Sequence, residues 1–87
     1  MIRILLWPKG LAEVVELDGM HTALIATVST PPGSTIRGTI EGGTQNYIVK
    51  VRGCRKQDDS TDENPRFRIE GRFVNLSRAA KARLEKG

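Results

Sequence analysis

Residues 66–87, RFRIEGRFVNLSRAAKARLEKG, pass from one hydrophobic period to another within a few positions, and this change decides the fold class. Phe67, Ile69, Gly71 and Phe73 fall on one side of a two-residue period, with Arg66, Arg68, Glu70 and Arg72 on the other. Such alternation belongs to a half-buried β-strand, whose successive side chains point to opposite faces. From Leu76 the spacing lengthens: Leu76, Ala80 and Leu84 are four apart, the narrow apolar stripe of a short helix. Ser77 or Asn75 is placed to cap that helix, because either side chain accepts a hydrogen bond from a first-turn amide that lacks an intrahelical partner. Gly87 stands where a left-handed cap ends such a helix. A basic strand running directly into a closing helix is therefore predicted here.

Upstream, the chain reads as a succession of short strands. Residues 2–7 form a first strand closed by the turn Pro8-Lys9-Gly10, and residues 11–17 (LAEVVEL) a second with imperfect alternation. Asp18-Gly19 is a two-residue hairpin signal, since both residues tolerate the positive φ of a tight turn. Residues 21–28 (HTALIATV) give a third strand, which Thr30-Pro31-Pro32-Gly33-Ser34 ends because proline donates no ladder hydrogen bond. In residues 35–41 (TIRGTIE), Ile36, Gly38 and Ile40 share a side, and a glycine there predicts a bend or a closely approaching neighbour. Gly42-Gly43-Thr44 turns the chain into residues 47–52 (YIVKVR), where Tyr47, Val49 and Val51 alternate with Lys50 and Arg52, and Ile48 is the misfit. A polar loop over 57–65 leads to the last strand. Six antiparallel strands with frequent turns predict a mainly-β fold, a small six-stranded antiparallel β-barrel or half-barrel whose short C-terminal α-helix plugs or flanks one end.

Composition sets the scale. Eighty-seven residues, 28% charged and 38% apolar, read as one globular domain over 1–87 with a single modest core and no room for a cleft between lobes. Cys54 is the only cysteine, which excludes an intramolecular disulfide and a multi-cysteine zinc site. The apolar run MIRILLW is shorter than a signal-peptide core and is broken at Pro8, and no stretch approaches membrane-spanning length, so a cytoplasmic location is expected.

The net charge of +4 is unevenly placed. Lys50, Arg52, Arg55 and Lys56 precede an acidic segment of Asp58, Asp59, Asp62 and Glu63, and from Arg66 onward seven cations face only Glu70 and Glu85. Two basic segments around an acidic loop suggest an anionic partner, with a pair of solvated strand faces as the plain alternative. Catalytic signals are missing. His21, the only histidine, sits beside a turn with no nucleophile in its sequence neighbourhood, and Cys54 reads as a small residue near a strand end despite its basic flanks. The acidic loop lacks the glycine and spacing of a calcium loop. No enzyme, metal or cofactor is expected.

The order of elements and three local phrases resemble the PilZ domain family. Pro31-Pro32-Gly33-Ser34-Thr35-Ile36 is similar to that family's turn into a central strand, and residues 47–55 (YIVKVRGCR) resemble the strand that follows it. Residues 67–84, with Phe73-Val74-Asn75-Leu76-Ser77 and Arg83-Leu84, are similar to the closing strand and helix start. The resemblance spans about residues 23–85, and the combination of phrases in this order carries it. It implies a six-stranded antiparallel barrel with a C-terminal helix, in a family many of whose members bind the bacterial second messenger cyclic di-GMP.

The nucleotide-binding residues of that family do not carry over. Its leading RxxxR supplies guanidinium groups that bind phosphate bidentately and stack on guanine, whereas only Arg3 and Lys9 precede the second strand here. Its D/N-x-S-x-x-G pattern finds no counterpart in Leu17-Asp18-Gly19-Met20-His21-Thr22. An RxxxR does occur as Arg68 to Arg72, in the last strand, where both arginines share a face. The expected function is thus a non-catalytic PilZ-like module of a bacterial signalling, motility or surface-assembly system. Its basic face of Arg52, Arg55, Lys56, Arg66, Arg68 and Arg72 binds a partner protein. One alternative is cyclic di-GMP bound through a non-standard set such as Arg68 and Arg72, or residues of a second chain. The other is a basic barrel for nucleic acid, although of four aromatic residues (Trp7, Tyr47, Phe67, Phe73) only Trp7 is expected to be exposed for base stacking.

Overall fold

A computed structural model describes residues 2–7, 9–40, 46–74 and 76–86. Along the chain run β1 (Arg3–Trp7), β2 (Leu11–Asp18), β3 (His21–Ala26), β4 (Thr35–Ile40), β5 (Asn46–Lys56), β6 (Phe67–Val74) and α1 (Arg78–Lys86). The strands close in the order β1-β2-β3-β6-β5-β4, with β4 pairing back onto β1, and every pairing is antiparallel. The fold is a closed six-stranded antiparallel barrel with a short C-terminal helix. Closure gives every strand a hydrogen-bonded neighbour on both sides.

The alternation read from the sequence sorts inside from outside. Ile4, Leu24, Val51, Ile69 and Phe73 are the largest fully buried side chains, and the core also takes in Leu6, Ile40, Tyr47 and Val49. These residues fill so narrow a barrel to its axis. Tyr47 and Phe73 meet edge to face, with ring centroids 5.9 Å apart. Gly38 and Gly71 sit on the inward side, where neighbouring strands press closest. A Cβ on Gly38 would stand 2.7 Å from the Leu5 carbonyl oxygen and one on Gly71 2.8 Å from Val49 Cγ1, inside any normal contact. The neighbour expected beside Gly38 is thus strand β1.

Two bulges account for the irregular stretches. In β2 the register slips between Val14 and Glu16, leaving Val15 unpaired, which explains the imperfect alternation of that strand. Buried Thr22 donates its hydroxyl to the Glu16 carbonyl at 2.9 Å and satisfies the slipped backbone. In β5 the slip falls between Val51 and Gly53, with Arg52 as the extra residue. This bulge carries β5 on to Lys56, four residues past the predicted end of that strand. At the other limits β3 stops at Ala26, and the predicted Gly42-Gly43-Thr44 turn, Pro8, Asn75 and Gly87 lie outside the described residues.

The helix begins at Arg78. Ser77 caps it, its Oγ accepting the Ala80 amide at 3.1 Å. Ala80 and Leu84 are buried and Leu76 packs against the core, as the four-residue spacing predicts. The Tyr47 hydroxyl donates to the Ala80 carbonyl at 3.3 Å and ties the helix to β5. Burial pushes the Tyr47 phenol above its ordinary pKa, with the positive charge of Arg83 acting in the opposite direction. Among the described residues no helix is long and apolar enough to cross a membrane.

Candidate functional site

A barrel filled to its axis offers its outer wall for recognition, and the register shows which side chains are neighbours there. Outward positions line up in rows across the strands. One row runs Asp18, His21, Arg72, Lys50, Thr35 through β2, β3, β6, β5 and β4. The next row on one side runs Glu16, Ala23, Glu70 and Gly53, and beyond it Glu13, Ile25, Arg68 and Arg55. On the other side the row is Trp7, Arg37, Ile48, Val74 through β1, β4, β5 and β6.

The six cations expected to form one basic face are divided by this grid. Arg68 is held by carboxylates on both sides: its Nη2 lies 2.9 Å from Glu16 Oε2 and its Nε 3.3 Å from Glu70 Oε1. This bridge spans β2 to β6, and outward-pointing Ala23, between the two carboxylates in their row, is only 2% exposed. Arg66 lies 3.4 Å from Asp59 in the acidic loop, in an ion pair without hydrogen-bond geometry. That loop is itself ordered by Ser60 Oγ accepting the Arg66 amide at 2.8 Å and Thr61 Oγ1 accepting the Asn64 amide at 2.9 Å. Lys56 is paired with Phe67, so it has the core-side parity of β5 at the barrel end, opposite to Arg55.

Arg52, Arg55 and Arg72 remain, exposed and outside every ion pair among the described residues. Arg52, aimed by its bulge, borders a surface groove of about 630 Å³ together with Glu16, Asp18, His21 and Glu70. Arg72 directly faces exposed Lys50. Like charges directly opposite in a sheet repel, so this pair marks a point of positive potential on the wall. Arg37, exposed on β4, extends it diagonally. Sequence reading left Lys50 and Arg37 out of the face, because nothing in the chain order shows that β4, β5 and β6 present them side by side. Arg68 and Arg72 do share a face, but Glu70 stands between them along β6 and pairs with Arg68.

The remaining candidates take ordinary places. His21 is exposed at the start of β3, opposite Asp18 and Arg72. Cys54 pairs with Ile69 on the core side of β5 and packs partly against the core. Among the described residues no group of three or more His, Cys, Asp and Glu side chains is placed to hold a metal ion. Trp7 is 75% exposed, as its outward parity predicts, whereas Tyr47 and Phe73 are buried. Compared with protein-family models, with curated proteins and with solved structures, the chain finds no match.

Proposed function

We propose that this protein is a non-catalytic, PilZ-like binding module of a bacterial signalling, motility or surface-assembly system, working in the cytoplasm and recognising a partner protein through the cationic wall of its barrel. The observation that carries this reading is the direct opposition of Lys50 and Arg72, both exposed and both outside every ion pair among the described residues. Arg68 and Arg66, a few residues away, show that this barrel neutralises cations with its own carboxylates elsewhere. An unneutralised like-charge pair is repulsive until an anionic group arrives, and its natural complement is a carboxylate-bearing partner surface. The closed barrel with a terminal helix agrees with the architecture that the PilZ resemblance implies.

The test compares three classes of ligand on the purified protein. Calorimetry with cyclic di-GMP is expected to show no binding; micromolar binding that disappears in an Arg68→Ala, Arg72→Ala double variant overturns the reading in favour of a nucleotide receptor. Titration with a single-stranded oligonucleotide is expected to show only weak attraction, and tight binding with a steep salt dependence supports a nucleic-acid module instead. Capture from a lysate of the source cells is expected to retain a protein on the wild type and to lose it on a Lys50→Glu, Arg72→Glu variant. Equal capture by both overturns the cationic-wall reading.

A further inference from the structure

Lys50 and Arg72 stand side by side although their charges repel, and the fold holds them there. Gly71 directly precedes Arg72, and a Cβ at that position would overlap the Lys50 carbonyl oxygen, so β5 and β6 press together at the pair. Lys50 lies between Val49 and Val51, and Arg72 between Gly71 and Phe73, all four buried. The far side of β5 is fixed as well. The Val51 amide donates to the Ser34 carbonyl and the Val51 carbonyl accepts the Gly33 amide, both at 2.8 Å. Directly opposite residues in such a sheet carry their Cβ atoms about 5 Å apart. Folding has thus brought two cations together before any ligand arrives, which lowers what binding costs.

The surroundings leave the pair without a counter-charge. In its own row the flanking residues are Thr35 on β4 and His21 on β3, both exposed. Diagonal to it stand Arg37 on β4, Arg52 on the bulge of β5 and Glu70 on β6. Glu70 is the one carboxylate among these neighbours, and Arg68 occupies it at 3.3 Å. Arg37 and Arg52 are exposed and outside every ion pair among the described residues. Positive charge therefore gathers on three adjacent strands, with Lys50 and Arg72 at its centre.

We propose that, within the anionic partner surface that meets the wall, the group seated on Lys50 and Arg72 is a phosphorylated side chain; the inference rests on the partner-protein reading above and names the partner's chemistry. A phosphate monoester carries about −1.5 to −2 charges at neutral pH and three strong acceptor oxygens. One such group matches both cations at a single point: Arg72 binds two oxygens through its planar fork, and Lys50 donates to the third. A carboxylate brings one charge, so two of them would crowd over the same pair and repel each other. A nucleic-acid backbone spreads single charges along a line, whereas the row beyond this pair ends at Asp18 and its diagonal meets Glu70. Carboxylates beside the phosphorylated residue then meet Arg37 and Arg52 at the rim.

The experiment follows the amide NMR spectrum of the isotope-labelled full chain during titration with blocked glycine-X-glycine peptides at constant ionic strength. X is phosphoserine, sulfoserine, which keeps the tetrahedral shape with a single charge, or glutamate. The phosphoserine peptide is expected to shift the amides of Lys50, Arg72 and their row neighbours. It is expected to bind about tenfold more tightly than the other two, the value of one charge-assisted hydrogen bond. Lys50→Gln and Arg72→Gln are each expected to weaken it by about tenfold, while Lys50→Arg and Arg55→Gln leave it unchanged. Neither Gln variant is expected to melt below the wild type, because each removes one of two like charges. A peptide library with phosphoserine fixed at its centre is then selected on the protein. Its winners are expected to carry Asp or Glu beside the phosphoserine and to bind about tenfold or more tightly than inorganic phosphate.

Equal binding of the phosphoserine and glutamate peptides overturns the proposal, as do shifts centred away from Lys50 and Arg72 or no shift at millimolar peptide. Winners no tighter than inorganic phosphate assign the pair to a free anion and overturn it too. A single-stranded oligonucleotide or a phosphatidic-acid vesicle that displaces the best winner at lower concentration replaces the protein partner by nucleic acid or lipid. Failure here is distinct from failure of the broader reading. If capture of a partner protein survives phosphatase treatment of the lysate yet is lost on Lys50→Glu, Arg72→Glu, the cationic wall stands and the phosphate falls. Equal capture by the wild type and that variant removes the wall reading itself.

Discussion

The wall built by β2, β3 and β6 differs from the wall built by β1 and β4, although both enclose the same core. On the first, Glu16, Arg68 and Glu70 neutralise one another across three strands and cover Ala23. On the second, Leu5 and Trp7 lie open beside Arg37, with Lys50 on the neighbouring strand β5. Around Ala23 the first wall settles its own charges. The second carries apolar area and positive charge that nothing among its described neighbours covers. One continuous core lies behind both walls, so the contrast between them belongs to the outside.

The largest expected effect asks whether the two walls share one core. Phe73→Ala is expected to cost about 3–5 kcal/mol, because a fully buried ring leaves a cavity that a closed barrel cannot collapse. Urea unfolding followed by Trp7 fluorescence and by far-ultraviolet circular dichroism should give one coincident transition; two separate transitions would break the common-core view. Gly38→Ala and Gly71→Ala come next, at about 2–3 kcal/mol each from overpacking against neighbouring backbone. Gly38 belongs to the apolar half and Gly71 to the charged half, so similar losses in denaturant midpoint confirm that closure is equally tight on both sides.

Tyr47→Phe is expected to cost about 1 kcal/mol at neutral pH, the net value of a hydrogen bond, here the one to the Ala80 carbonyl. Its pH dependence has a definite sign. Because burial raises the native phenol pKa, the folded state holds its proton more firmly than the unfolded chain. The corresponding stability is complete below about pH 10, the unfolded value, and is lost as pH rises through the native one. Thermal melts from pH 8 upward should therefore show an alkaline decline that is shallower in Tyr47→Phe.

The smallest effects sharpen the contrast between the walls most directly. Arg68→Ala is expected to lower stability by about 0.2–1 kcal/mol, diminishing at molar salt, since it removes a partly exposed bridge. Trp7→Ser is expected to change stability by less than about 0.5 kcal/mol, as exposed substitutions do. A Trp7 variant that melts far below wild type would show that this ring serves the fold.

Much of the barrel was legible residue by residue. The alternation of residues 66–74, the helical spacing of Leu76, Ala80 and Leu84, the Asp18-Gly19 turn and the crowding at Gly38 all follow from local periods and local sterics. Trp7 was readable as exposed for the same reason. The bulges were not. A single extra residue at Val15 or Arg52 restores inside and outside beyond it, and it shows in sequence only as a strand that alternates poorly or ends too soon. The basic face was legible as composition, but the neighbours of its members were not: Arg66 and Arg68 are paired with carboxylates, Lys56 has the other parity, and the residue that faces Arg72 is Lys50.

Up to the two bulges, the amino-acid sequence by itself determined which side chains face the core and which face out, because a two-residue period acts between neighbours in the chain. It also determined where the strand pattern gives way to the helix, through Ser77 and the residues that follow it. Only the tertiary structure decided who stands beside whom. Arg68 meets Glu16, which lies 52 residues away, and Lys50 meets Arg72, because closing six strands in the order β1-β2-β3-β6-β5-β4 sets cross-strand register over distances that no local period encodes. The closing strand of residues 66–74 thus carries two opposite fates on one face: Arg68 is neutralised by its neighbours, and Arg72 is left with another cation.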